Sequence, residues 1–441
     1  MNIPQISLNK DSTTPLYRQL SAALQELINQ GKLAPDAKLP SIRQLARALD
    51  VNTTTVVSTY KLLEQELWVY SIIGSGTFVA PIVRKPEMPV IPTHNENYIN
   101  FAETVTDAAL FPVTAFKRAF EAVLDRDGGE AFKFGDSLGL KPLRESLSIL
   151  LENANADNIQ VIAEAQQGLE TVAKELLSPG DTVFVEGYTT GLAVGAFFSR
   201  GARVIEMPMN IDGPDFIAVE AMGKKYKPKL IYVMPNFQTP TGITYSEESK
   251  IHLLELAQST GAYILEDDQL SDLYYDGKKR TPLKALDAAG RVIYIKSFAR
   301  TVMPGIGFMV FPEGFAKVET TVSGYIQRGF DLFLRSGAYE LHLANLRSVY
   351  GRRYQKLEAA AKTYLSHLAD FQMPGGGLSL WITPRNNNID YINGFLQRGV
   401  VVSPGRLFSK DGAGFRISFA GVKEEKIAEG IGIIAAVLGG E

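Results

Sequence analysis

Apolar residues recur at helical spacing near the start of the chain. Leu16, Leu20, Ala23, Leu24, Leu27 and Ile28 line one face after Pro15, and Asn29-Gln30-Gly31 supplies a stop, so a first amphipathic helix is predicted. Ser41, with Gln44 three residues on, is a capping-box pattern that starts a second helix running to about Leu49. Asp50-Val51-Asn52 reads as a tight turn and Thr53 to about Glu66 as a third helix. The β-prone runs Trp68–Ile73 and Thr77–Ala80, joined by Gly74-Ser75-Gly76, predict a hairpin. Four prolines (Pro81, Pro86, Pro89, Pro92) among polar and charged neighbours then mark an extended linker and a domain boundary.

From about Asn100 the pattern changes to short apolar runs alternating with helical stretches. Thr182–Val185, Arg203–Met207, Leu230–Met234, Ala262–Leu265 and Arg291–Ile295 read as strands; Gly191–Arg200 and Ser246–Gly261 read as helices. Several strands are apolar at nearly every position, as expected of a mostly parallel sheet covered on both faces. After Ser336 come a long helix (Gly337–Leu368), a hairpin-like run Leu378–Thr383 and a final amphipathic helix, which suggest a smaller α+β lobe. The predicted architecture is therefore α/β with an N-terminal appendage: 1–80, a linker over 81–98, a large domain over 99–335 and a small domain over 336–441.

Composition narrows the chemistry. The 441 residues carry a formal charge of −3, so any affinity for a polyanion has to come from a local patch. There is no cysteine, and the four histidines (His94, His252, His342, His367) are far apart. A disulfide framework, a thiolate nucleophile and a dedicated zinc site are not expected. No stretch approaches the length and apolarity of a membrane span and the start lacks a secretion signal, so a cytoplasmic location is expected.

Three helices with a sharp turn between the last two, followed by a hairpin, describe a winged helix-turn-helix, which lays its third helix in the major groove of duplex DNA. Asn52, Thr53, Thr54 and Thr55 cluster at the start of that helix, where short polar side chains reach base edges or phosphates. Arg43, Arg47 and Lys61 add positive charge. The run from Pro15-Leu16-Tyr17 through Leu39-Pro40-Ser41-Ile42-Arg43-Gln44-Leu45-Ala46, Thr55-Val56-Val57 and Tyr60 to Gly74-Ser75-Gly76-Thr77-Phe78-Val79 resembles the GntR-type winged helix. That resemblance adds Ser75 and Thr77 of the wing to the expected DNA contacts. Asp50 stands where the family usually has Gly, and Thr53 where it often has Arg. Residues 1–80 hold seven basic and six acidic side chains, a net charge of +1, which favours a dimer that doubles the contacts.

In the larger part, candidate ligand residues fall at strand ends, where open α/β sheets bind small molecules. Glu266-Asp267-Asp268 and Pro235–Gly242 follow apolar strands, and Ala165-Gln166-Gln167-Gly168-Leu169 opens a helix able to cradle an anion. With Pro179-Gly180-Asp181, Pro240-Thr241-Gly242, Ser297-Phe298-Ala299-Arg300, Gly375-Gly376-Gly377 and Phe415-Arg416-Ile417-Ser418, these pieces resemble fold-type I aminotransferases. Together with the N-terminal unit, the chain resembles the MocR subfamily of regulators. The resemblance implies pyridoxal phosphate as cofactor or sensed ligand. It implies Asp267 at the pyridine nitrogen, Gln166 and Ser297 on the phosphate side, Tyr188 stacked on the ring, Thr239 nearby, and Arg416 gripping a carboxylate.

The departures decide the chemistry. The imine lysine of the family falls on Arg300, and a guanidinium keeps its proton at any accessible pH and cannot form the imine. Lys296, four residues upstream, falls where the family has a small non-catalytic residue. Thr239 replaces an Asn, Gln269-Leu270 stand where a Tyr is usual, the Leu-Arg expected after Pro304-Gly305 is absent, and the turn before Tyr188 is shortened. The expected protein is a dimeric DNA-binding regulator with a ligand-sensing aminotransferase-like domain and no catalytic residues. The rival expectation is a working aminotransferase carrying a DNA-binding appendage.

Overall fold

The computed structural model describes residues 6–440 except 81–97 and positions 11, 13, 31, 35, 36, 67, 73, 134, 313, 316–318, 387–389, 410 and 411. Apart from Tyr98, the predicted linker therefore lies outside the described residues, as do Gly31 and Ile73 of the motifs above.

The N-terminal helices are α1 (Leu16–Asn29), α2 (Ile42–Ala48) and α3 (Thr53–Gln65), followed by strands β1 (Val69–Ile72) and β2 (Gly76–Val79). The capping box forms as the sequence predicts: Ser41 N donates to Gln44 Oε1 at 2.9 Å and Gln44 N to Ser41 Oγ at 3.4 Å. Asp50 takes a left-handed φ of 50° in the turn before α3, a conformation that short polar side chains tolerate. Leu20, Leu24, Leu45, Val56, Leu63, Val69 and Val79 form one buried core. Gly76, at φ 132°, serves the wing because a Cβ there would lie 2.8 Å from the Lys38 side chain.

The opposite face of the wing is also apolar. Tyr70 and Phe78, directly paired across β1 and β2, stack at 5.6 Å between ring centroids. Tyr70 and Ala80 are buried in a cluster with Leu138, Phe311, Phe315 and residues of the large sheet, so this face is docked against the large domain.

That sheet has seven strands: β3 (Ile159–Ile162), β4 (Thr182–Glu186), β5 (Arg203–Met207), β6 (Leu230–Val233), β7 (Tyr263–Asp267), β8 (Val292–Ser297) and β9 (Gly307–Val310). Their order is β3-β9-β8-β7-β6-β4-β5, and β9 runs antiparallel to both neighbours. Every residue of β3, β4, β6, β8 and β9 is buried, which explains their largely apolar character, Gln160, Glu186 and Lys296 being the charged or amide exceptions. Helix α4 (Ala165–Leu176) follows β3 and lies very close to the sheet: a Cβ on Gly168 would sit 2.7 Å from Ile295 Cδ1.

The C-terminal lobe joins a long helix α5 (Ala338–Tyr364), a last helix α6 (Glu424–Gly439) and a four-stranded sheet. Leu378–Thr383 is not one hairpin. Ser379–Pro384 is a single strand whose antiparallel partners are Ala369–Asp370, shortly before it, and Phe415–Ser418, some thirty residues after it. Ile99–Asn100 pairs with Val400–Val401, so the chain enters the large domain by way of this lobe. Among the described residues no helix is long and apolar enough to cross a membrane.

Candidate functional site

A cavity of about 160 Å³ lies at the C-terminal ends of the central strands, lined among others by Gln166, Thr239, Asp267, Gln269, Arg300, Ser379 and Arg416. Five of the residues expected to bind a ligand thus converge: Gln166, Thr239, Asp267, Arg300 and Arg416. Two do not line it. Tyr188 packs against Trp381, ring centroids 4.9 Å apart, its carbonyl accepting from Gln238. Ser297 is buried and turned to Glu164, to which its hydroxyl donates at 2.7 Å.

Asp267 ends β7 on the pocket floor. Tyr232 Oη donates to it at 3.0 Å, and Gln269 Nε2 reaches its two oxygens at 3.1 and 3.0 Å. Burial pushes its pKa up to about 6 against these hydrogen bonds. Its neighbour Glu266 is a structural residue: its carboxylate accepts the Leu283 and Lys284 backbone N–H groups, both at 2.8 Å.

Arg300 Nη1 donates to the Thr104 carbonyl at 2.8 Å. Arg416 Nη2 donates to the Ala102 carbonyl and, at 2.7 Å, to Ser403 Oγ, while its Nε is buried without a partner. Burial, and next the nearby Arg300 charge, bring the Arg416 pKa down to about 10. Lys296 points elsewhere. Its Nζ lies 2.8 Å from Asp272 Oδ2 and 3.9 Å from Asp268 Oδ2, in a buried ion cluster.

The residue that sequence reasoning missed is Glu164. It stands at the N-cap of α4 but makes no side-chain cap. Its Oε2 accepts from Ser297 Oγ and its Oε1 from Gly305 N at 2.8 Å. An acid immediately before a helix start read as an anion cradle was the available signal.

On the N-terminal unit, Arg43, Asn52, Thr53, Thr54, Lys61 and Ser75 are exposed, and Thr55 and Thr77 half-buried. Asn52 caps α3, its Oδ1 accepting from Thr54 N at 3.1 Å. Two effects therefore separate. Asn52→Ala is expected to lower stability by about 0.5–2 kcal/mol through the lost cap. Thr54→Ala should leave the unfolding midpoint unchanged while weakening operator binding by about 1–3 kcal/mol. Thermal unfolding beside fluorescence anisotropy distinguishes the two.

Residues 16–79 match the bacterial regulatory proteins of the gntR family, and residues 97–434 match aminotransferase class I and II. The chain belongs to the class I and II aminotransferase family and carries a gntR-type helix-turn-helix ahead of it, the domain arrangement of MocR-type regulators. It is 26% identical to the HTH-type transcriptional regulator YdfD of Bacillus subtilis over 95% of both chains. It is 27% identical to the probable rhizopine catabolism regulatory protein MocR of Rhizobium meliloti, covering 82% of this chain and 80% of that one. Among solved structures, the kynurenine aminotransferase of Pyrococcus horikoshii, in complex with PMP, superposes with a TM-score of 0.72 at 26% identity, over 78% of this chain and 92% of that one.

The family resemblance supports pyridoxal phosphate, but the pocket residues do not fit it. The resemblance puts the lysine position on Arg300, and Lys296 is engaged with Asp272 and Asp268. The Asp267 carboxylate already takes the Gln269 amide, and the Ser297 hydroxyl takes a protein carboxylate. The cavity, about 160 Å³, is also below the roughly 300–1,000 Å³ of sites for drug-sized ligands.

Proposed function

We propose that this chain is a cytoplasmic, dimeric, DNA-binding transcriptional regulator whose aminotransferase-like domain senses a small carboxylate and does not transaminate. In this reading residues 1–80 read the operator, 99–335 and 336–441 form the sensor, and 81–98 connect them. Regulators of the same two-domain composition, matched along nearly the whole chain, support the DNA-binding role.

The observation that carries the non-enzymatic part is Arg300 at the lysine position. A cation that cannot be deprotonated there can hold an anion but cannot attack an aldehyde. Arg416 supplies the cation for the carboxylate, held in place by its Nη2 bonds to Ala102 and Ser403. The rival reading, a working aminotransferase, would need Lys296 to leave its ion cluster.

The test is chemical. Full-length protein incubated with pyridoxal phosphate and reduced with borohydride should yield no pyridoxyl-lysine in the 296–300 region on peptide mapping. Amino acid and keto acid should show no exchange of the amino group. A labelled Lys296 with measurable transamination would establish the rival.

A further inference from the structure

We propose that the pocket is a phosphate-free dicarboxylate site, in which Glu164 permanently fills the anion cup and Arg300 joins Arg416 to bind the two ends of a small diacid.

The cup comes first. The start of α4, the Ser297 hydroxyl and the Gly305 N–H together form a place where an anion is stabilised by donors and by the positive helix end. The anion present is the Glu164 carboxylate, with one oxygen on each donor. A ligand phosphate would have to displace a tethered carboxylate from both. It would then leave two like charges in one cup. The protein supplies internally what a phosphorylated cofactor would otherwise bring.

The second observation is charge only partly answered: the carboxylate that acts on Arg300 is Glu164, itself held by Ser297 and Gly305, and Asp267 borders the cavity already bonded to Tyr232 and Gln269. Arg416 is 8% exposed and Arg300 is partly buried, both line the same cavity, and among the described residues neither is in an ion pair. Buried cations are ordinarily paired, because an isolated charge in a poorly solvated site is expensive. The two guanidiniums also repel each other. Among the described residues the buried Arg416 Nε and Ser379 Oγ lack partners, and both residues line this cavity. Such orphans in a native fold call for a partner from outside it.

A ligand with two carboxylates reaches both cations, one carboxylate on the free N–H groups of each, Arg416 Nη2 already donating to Ala102 and Ser403. A monoacid reaches only one of them. The size agrees: about 160 Å³ corresponds to roughly five waters at ~30 Å³ each, which suits a molecule as short as succinate or glutarate. This inference rests on the sensor reading only in taking the cavity as the effector site.

Isothermal titration of the full-length chain with succinate, glutarate, butyrate, pyridoxal phosphate and inorganic phosphate tests it. One of the diacids should bind at least about tenfold more tightly than butyrate. Pyridoxal phosphate and inorganic phosphate should give no saturable heat. Arg300→Gln should erase the diacid preference, Arg300→Lys should retain part of it, and Glu164→Ala should gain phosphate binding. Equal affinity for diacid and monoacid in the parent protein would overturn the proposal whether or not the variants fold. So would saturable phosphate binding to the parent that Ser297→Ala removes. Operator binding measured on the same samples tests the regulator reading separately, since loss of diacid preference with intact DNA binding refutes only the ligand class.

Discussion

Lys296→Met is expected to destabilise the protein by about 3–5 kcal/mol, the cost of stranding buried carboxylates when their cation is removed. Lys296 is buried, with Asp272 at 2.8 Å and Asp268 at 3.9 Å. Burial works to lower its pKa, but the two aspartates outweigh burial and hold it above the ordinary lysine value. Asp272 is correspondingly held below the carboxylate range: burial opposes its charge, and Lys296 more than compensates. Tyr339 Oη adds a hydrogen bond to Asp272 at 3.0 Å, and Tyr294 Oη one to Asp268 at 2.7 Å. Urea denaturation measures the effect, and pairing the change with Asp272→Leu should recover part of the loss by removing one stranded charge. An unchanged midpoint for the single variant would mean that Lys296 is not committed to this cluster and is available for other chemistry.

The second large effect concerns DNA. Full-length protein should bind a duplex carrying two half-sites about 10²–10⁴-fold more tightly than one carrying a single half-site, because the second contact becomes intramolecular within a dimer. The charge of the reader makes this necessary. Residues 1–80 carry a net charge of +1, and one of the cations, Lys10, is spent on Asp50 at 2.7 Å. Few phosphates are neutralised by a single copy, so single-site affinity should be weak and only shallowly salt-dependent, while the two-site complex should lose affinity more steeply with salt. Anisotropy titrations on the two duplexes, with sedimentation at the same concentrations, supply the comparison. A monomer binding both duplexes equally well would contradict it.

The parts of the fold legible in the sequence are those fixed by local rules. The periodicity of Leu20, Leu24 and Leu27, the Ser41–Gln44 box and the glycine-rich wing turn each specify their element within a few residues. Strands β4 to β8 were legible because an apolar run flanked by turns needs no partner to be recognised. Strands β3 and β9 were not: four-residue runs such as Gly307–Val310 become strands through pairing with segments far away in the chain. The site divides in the same way. Asp267, Arg300 and Arg416 could be found because each sits in an ordered motif. Glu164 could not, because its meaning depends on Ser297 and Gly305, 133 and 141 positions later. Tyr188 could be picked out, but its actual contact, a ring tilted against Trp381, depends on a lobe nearly two hundred residues downstream.

The docked face of the wing gives the molecule a built-in transmission. Tyr70 and Ala80 share one buried cluster with Ala165, Leu169 and Val172 of α4, the helix whose first turn borders the cavity. Close-packed interiors transmit displacement and do not absorb it. An occupant that tilts α4 therefore has to repack the seam beneath the wing, with no need to act through residues 81–97. Thermodynamics then binds the two ends to each other. If the effector changes operator affinity tenfold, about 1.4 kcal/mol, operator DNA must change effector affinity by that same factor and in the same direction. Adding operator to a calorimetry cell would thus reveal the coupling at the small-molecule site without any change in transcription being measured.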